Sequence, residues 1–288
     1  MNGFYNVVKP IDWSSSDLVI KIRGILRHHL GQKVKVGHLG TLDPLATGVL
    51  GVAVGSGTKL FDFFLSKRKT YIATCYLGVT TSTLDRGGEV TGRAAVPPIS
   101  DEEIQKVLSS FIGTTEQVPP MYSAKSIGGV RAYKLAHKGE AAELKPCQVT
   151  IYDCKLTERI SDVEFRFCVQ CSGGTYIRSL CRDIGAKLSL PAYMSSLERT
   201  INGTMHIEDG TTIESIEKDI TSGFVSLKAF GQTLKTLDFS EQLRKKIDNG
   251  VKLETDAEDG LCSVYIGGAF YAIGQVKSGT LEIVAREK

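Results

Sequence analysis

No apolar run of eighteen residues occurs anywhere in this 288-residue chain, so no membrane-spanning helix is predicted. Met1 to Lys9 has no apolar core long enough for a secretory signal, and a cytoplasmic protein without a membrane partner is expected. The seven cysteines are odd in number and scattered, which suits reduced thiols. Cys168 and Cys171 have the spacing of half a zinc site. However, Val163 to Val169 alternates as a strand, which sets the two thiols on opposite faces, and no second pair follows. Gly55-Ser56-Gly57-Thr58-Lys59 inverts the Lys-Thr order of a P-loop and lacks the third glycine of a dinucleotide fingerprint. Neither a metal nor a cofactor is expected, and there is no internal repeat or low-complexity tract. Acids are missing from two stretches. Leu18 to Leu42 carries Lys21, Arg23, Arg27, Lys33 and Lys35, and Gln117 to Gly139 carries Lys125, Arg131, Lys134 and Lys138. Such runs, beside Tyr122, Tyr133 and His137, can track a phosphate backbone or form a solvated basic face. The net charge of +3 does not decide between them.

What is present centres on one carboxylate. Between Asp17 and Asp62 the only acid is Asp43, set in Gly37-His38-Leu39-Gly40-Thr41-Leu42-Asp43-Pro44-Leu45-Ala46-Thr47-Gly48. Three glycines and a proline make this a shaped loop, and it runs into the apolar strand Val49 to Val54. An Asp before Pro commonly forms a turn or caps a helix. A carboxylate on a loop seated on a rigid strand, with Leu42 and Leu45 flanking it and His38 and Thr41 as polar neighbours, can also react. The residues alone leave both roles open.

Around the loop the pattern predicts α+β architecture with a mixed, mostly antiparallel sheet and flanking helices. Gly3 to Lys9 reads as a strand ending at Pro10. Ser14 to Ser16 offer caps for a helix through Leu30, with Leu18, Ile22, Ile25 and Leu26 inward and Gly31 as its stop. Thr58 to Leu65 predicts a short helix, Lys69 to Leu77 a strand, and Thr80 to Gly92 a loop. Ser100 caps a helix over Asp101 to Phe111, with Glu103 at the capping-box position. Pro119 to Pro146 is a long irregular insertion of the kind used for binding. Strands over Gln148 to Glu158 and Val163 to Cys171 precede a helix from Thr175 to Leu188, with Ile177, Leu180, Ile184 and Leu188 inward, and a strand over Ser196 to Ile201. A domain boundary is expected near residue 232. Beyond it, residues 233–288 read as a small β domain with one helix, Ser240 to Ile247, and a Gly-Gly turn.

The run from Gly37 to Leu50 resembles the catalytic motif of the TruB family, the tRNA pseudouridine-55 synthases. Four further blocks stand in the family's order: Lys9-Pro10, Lys69-Thr70-Tyr71, Pro119-Pro120-Met121-Tyr122-Ser123-Ala124 and Gly174-Thr175-Tyr176-Ile177-Arg178. The resemblance implies a pseudouridine synthase domain over residues 1–232, in which an insertion at 119–146 grips RNA, and a PUA-like RNA-binding domain over 233–288. It implies isomerisation of uridine 55 in the T stem-loop of tRNA by a monomer that needs no cofactor.

Carried over residue by residue, Asp43 is the nucleophile, Arg178 its cationic partner and Tyr71 the active-site tyrosine. His38 stands beside the flipped nucleotide, and Tyr176 and Leu197 line the uracil pocket. Lys9 and Pro10 match a block that supports the catalytic loop, and Lys9, Lys125 and Arg131 are candidate RNA contacts. Two places depart from the family pattern. Thr81-Ser82-Thr83-Leu84-Asp85-Arg86-Gly87-Gly88 stands where the family has Thr-Asp-Thr-x-Asp-x-x-Gly, and Ser126 where it has Lys. Both are expected in RNA-contact loops, away from the reacting carbon. A rival reading, an RNA-binding or folding module with secondary catalysis, is opposed by the intact Asp43, Tyr71 and Arg178 set. A glycoside hydrolase would need a second positioned carboxylate, and none partners Asp43 in the sequence.

Overall fold

The computed structural model describes residues 1–123, 126–127, 130–131 and 144–287, with 126–127 and 130–131 as backbone only. The chain forms two compact units. The first comprises Met1–Pro44, Val49–Leu65 and Met205–Lys288; the second comprises Leu45–Gly48 and Ser66–Thr204.

Strand β1 (Gly3–Lys9) is buried along almost its whole length. Helix α1 (Ser15–Leu30) starts where the sequence predicts. The Ser14 hydroxyl accepts from Asp17 N at 3.0 Å, Asp17 Oδ2 accepts from Ser14 N at 3.1 Å, and Gly31 closes the helix at φ 65°. Leu18, Ile22, Ile25 and Leu26 are buried as expected. Gly24 lies on the exposed face, with open space where a Cβ would stand. Gly24→Ala is therefore expected to raise stability by about 0.5–1 kcal/mol, read as a higher urea midpoint at unchanged slope. Strand β2 (Val36–His38) pairs antiparallel with the second half of β3 (Ala46–Val54). The predicted helix over Thr58 to Leu65 is divided. A 3₁₀ segment, Gly55–Leu60, precedes α2 (Phe61–Leu65), and the two glycines at its start disfavour an α-helical turn there.

In the second unit β4 (Lys69–Leu77) has the predicted bounds. The predicted loop that follows is instead a hairpin of β5 (Val79–Thr81) and β6 (Val90–Arg93). Asp85 makes it: Oδ1 accepts from Gly87 N at 3.0 Å and from Thr83 Oγ1 at 2.6 Å, an Asx turn that alternation cannot reveal. Helix α3 (Asp101–Ser109) carries the Ser100–Glu103 capping box. Next come β7 (Gly113–Gln117), β8 (Ser126–Ile127), β9 (Val130–Arg131), β10 (Cys147–Ser161), β11 (Glu164–Cys171), α4 (Ile177–Lys187) and β12 (Ala192–Asn202).

The sheet of this unit runs from Ala46–Gly48 of β3 through β12, β4, β11 and β10 to β7. The β3–β12 pairing is parallel and the others are antiparallel. Burial alternates strictly along β11, which puts Cys168 and Cys171 on opposite faces. Among the described residues no three His, Cys, Asp or Glu side chains are grouped to hold a metal. Helix α4 starts two residues later than predicted because Thr175 Oγ1 donates to Ser172 O at 2.9 Å and keeps 172–175 in a turn. Ile177, Leu180 and Ile184 face inward as expected. Leu188 falls at the helix end and is half-buried, and Leu190 is buried beyond it.

The remaining chain returns to the first unit with β13 (Met205–His206), α5 (Ile213–Lys218), β14 (Phe224–Ser226) against β1, and α6 (Leu227–Gly231). Strands β15 (Lys235–Phe239), β16 (Leu253–Glu254), β17 (Gly260–Ile266), β18 (Ala269–Lys277) and β19 (Thr280–Arg286) form one sheet in the order β15-β17-β18-β19-β16. A short helix, α7 (Arg244–Asp248), stands before β16, and Gly267-Gly268 turns β17 into β18. Ile273 and Ala285 of this sheet share a core with Phe4, Leu39, Phe64 and Phe230. Among the described residues no helix is long and apolar enough to cross a membrane.

Candidate active site

The first unit holds the loop that carries Asp43 by fastening the residues on either side of it. On one side Ser15, in the first turn of α1, both donates to Leu42 O and accepts from Leu42 N, each at 2.8 Å. On the other, Pro44 O accepts from Asp12 N at 2.9 Å and from Lys9 Nζ at 3.2 Å. Lys9 also donates to Pro10 O and Trp13 O at 2.8 and 2.7 Å. An ammonium among three carbonyl oxygens fixes the β1–α1 turn and the Asp43 loop at one point. The peptide units flanking Asp43 are thus tied to β1, α1 and the turn between them, and Asp43 itself is half-buried.

Lys9 is 0 % exposed. That corrects its expected role as an RNA contact: it supports the loop, as its resemblance block implies. His38 is half-buried in β2 opposite Val52, and the adjacent Leu39 N donates to Gly51 O at 2.7 Å.

In the second unit, β3 enters the sheet at Ala46, three residues after Asp43. Leu197 lies opposite Ala46 and Arg199 opposite Gly48 in the parallel pairing with β12. Across the antiparallel pairing, Leu197 faces Ala73 and Arg199 faces Tyr71. Residues directly opposite share a face, so Tyr71 and Leu197, from strands over a hundred residues apart, come to one face of the sheet. Tyr71 is 6 % exposed and Arg199 is 1 % exposed. Lys69, two residues before Tyr71, is also buried. Burial first, and the nearby Arg199 charge second, push its pKa down to about 8. Burial likewise raises the Cys171 thiol to about 11 and leaves it unreactive.

Arg178 stands in the first turn of α4 and is 5 % exposed. It forms an ion pair with Asp85 Oδ2 at 3.6 Å and donates to Thr83 O at 3.0 Å and Tyr122 O at 2.9 Å. The loop expected to lie away from the chemistry therefore clasps the arginine assigned to it. Sequence reasoning missed Asp85, although the spaced Thr-x-Thr-x-Asp-x-x-Gly pattern was the available signal. Tyr176 is half-buried and starts α4. Lys125 lies outside the described residues, as do most residues from 128 to 143, and Arg131 is described only as part of β9.

The whole chain superposes on the solved Cbf5-Nop10-Gar1 complex with a TM-score of 0.70 at 22% identity, covering 99% of this chain and 84% of that one. A similar likeness, TM-score 0.68 at 21% identity, relates it to an H/ACA RNP bound to a substrate RNA containing 2'-deoxyuridine. The fold is therefore that of Cbf5, a mixed, mostly antiparallel sheet with flanking helices and a β-rich C-terminal region. The profile of the TruB family pseudouridylate synthases, N-terminal domain, matches residues 27–177. The tRNA pseudouridine synthase B of Bacillus licheniformis is 42% identical over 265 residues, 88% of this chain and 84% of that protein. That of Clostridium tetani is 39% identical over 293 residues, 99% of both chains. This chain belongs to the TruB family of pseudouridylate synthases.

Proposed function

We infer that this enzyme isomerises uridine to pseudouridine at position 55 in the T-loop of tRNA, acting as a cytoplasmic monomer on the T stem-loop. The C1′–N1 bond of the nucleoside breaks, a C1′–C5 bond forms, and the proton on C5 leaves as N1 regains one. Atoms and electrons balance without an external donor. The observation that carries the site assignment is the fastening of Leu42 and Pro44, which holds the Asp43 carboxylate on a rigid backbone, as a positioned nucleophile requires.

Tyr71 is assigned as the surface on which the extruded base stacks. Stacking on an aromatic ring contributes about 1–3 kcal/mol, comparable with the few kcal/mol that flipping costs. Leu197 and Tyr176 are assigned to the uracil pocket, His38 to the space beside the flipped nucleotide, and Arg178 to the site's positive charge. The surface cations, with residues 233–288 as a second RNA-binding module, are assigned to phosphates.

The test is incubation with a T stem-loop transcript and mapping of modified uridines at base resolution. Modification is expected at one uridine, and binding is expected to weaken as salt rises, because phosphate contacts release counterions. An unmodified loop, or affinity independent of salt, overturns the proposal.

A further inference from the structure

A primary amide with no chemistry of its own is buried beside the start of α4. Gln117, the last residue of β7, is 4 % exposed. Its Oε1 accepts from Tyr176 N at 2.8 Å, and its Nε2 donates to Tyr176 O at 3.1 Å. Only this orientation of the amide forms both bonds. Tyr176 O also accepts from Leu180 N at 3.0 Å, so its acceptor capacity is filled. The helix has no side-chain cap from its own N-cap residue. The Tyr176 N–H, which a Glu or Gln at 179 would accept in a capping box, is accepted instead by a side chain from a strand fifty-nine residues earlier in the chain.

The chain just after Gln117 continues the attachment. Val118 O accepts from Ser179 Oγ at 2.8 Å and from Arg182 Nη2 at 3.2 Å, and Tyr122 O accepts from Arg178 Nη2 at 2.9 Å. The first turns of α4 are held against the segment from Gln117 to Tyr122 through Arg178, Ser179 and Arg182. Burying an amide costs free energy unless each of its polar atoms is paired, so a purely space-filling residue here would be apolar.

We propose that Gln117 is a positioning residue for pseudouridylation, acting through Tyr176 and, two residues on, Arg178. This rests on the assignment of those two residues to the site. A side chain displaced by an ångström can cost a hundredfold in rate, so a clamp that fixes the backbone beneath them has kinetic weight.

Gln117→Met keeps the length and removes both bonds. It is expected to slow single-turnover modification about ten- to a hundredfold. RNA affinity is expected to stay within about twofold, since the loss falls on the chemical step. Ile104→Val, a core truncation in α3 of similar stability cost, should leave the rate unchanged. Gln117→Glu supplies the second reading. A protonated carboxyl forms both bonds to Tyr176, and an ionised one cannot donate to Tyr176 O. The ratio of its rate to that of the parent is therefore expected to rise as pH falls. A parental rate in Gln117→Met, a ratio that does not change with pH, or an equal slowing by Ile104→Val each overturns the proposal. Arg178→Lys and Tyr176→Ala separate the two layers. Parental turnover in both removes the site assignment. If both are impaired while Gln117→Met is not, the positioning role alone is wrong.

Discussion

Asp43→Asn is expected to leave T stem-loop affinity within about twofold and to lower pseudouridine formation by roughly 10⁴-fold or more, the scale on which removing a nucleophile acts. The amide matches the carboxylate in size and cannot supply the negative charge that must add to the base or attack the sugar. The loop should keep its shape, because its anchors act at Leu42 and Pro44 and come from Ser15, Asp12 and Lys9. Single-turnover release of tritium from C5-labelled uridine, measured beside filter binding, separates chemistry from affinity. Turnover within about tenfold of the parent would make Asp43 the turn former that an Asp-Pro pair commonly is.

The second large effect falls on stability. Gly48 has φ 94°, and a Cβ built there lies 2.3 Å from Arg199 O and 2.9 Å from Arg199 C and N. The contact is with backbone, so no rotamer change relieves it, and the parallel pairing of Arg199 with Gly48 must open. Gly48→Ala is expected to cost more than about 4 kcal/mol. In a chain of this size that lowers the melting temperature by about 10 °C. Gly250→Ala is the control: φ is 77° there and nothing lies within 4 Å of a Cβ, so only backbone strain of about 1 kcal/mol is added. Calorimetry showing equal losses for the two variants would contradict the close approach of β3 to β12. Because Gly48 ends the motif around Asp43, this pairing also sets where the loop leaves the sheet.

Much of this protein was legible one segment at a time. Ser14 to Ser16 and Gly31 bounded α1, Ser100 with Glu103 began α3, and alternation bounded β4, because caps and pleats are short-range chemistry written within a few residues. The motif around Asp43 was equally local, and so was the family resemblance it carried. Other features had no local sign. The fastening of Pro44 depends on a lysine thirty-five residues earlier. Arg178 finds Asp85 and Tyr122 across long stretches of chain, and Gln117 finds Tyr176. A hydrogen bond between distant positions leaves no period in the sequence, since each partner looks like any other polar residue until the sheet brings them together. Composition and spacing determined most of the helices and strands, and the motif's resemblance pointed to Asp43. The tertiary structure decided which polar side chains are buried and paired, because only there does an unpaired buried polar group carry a cost.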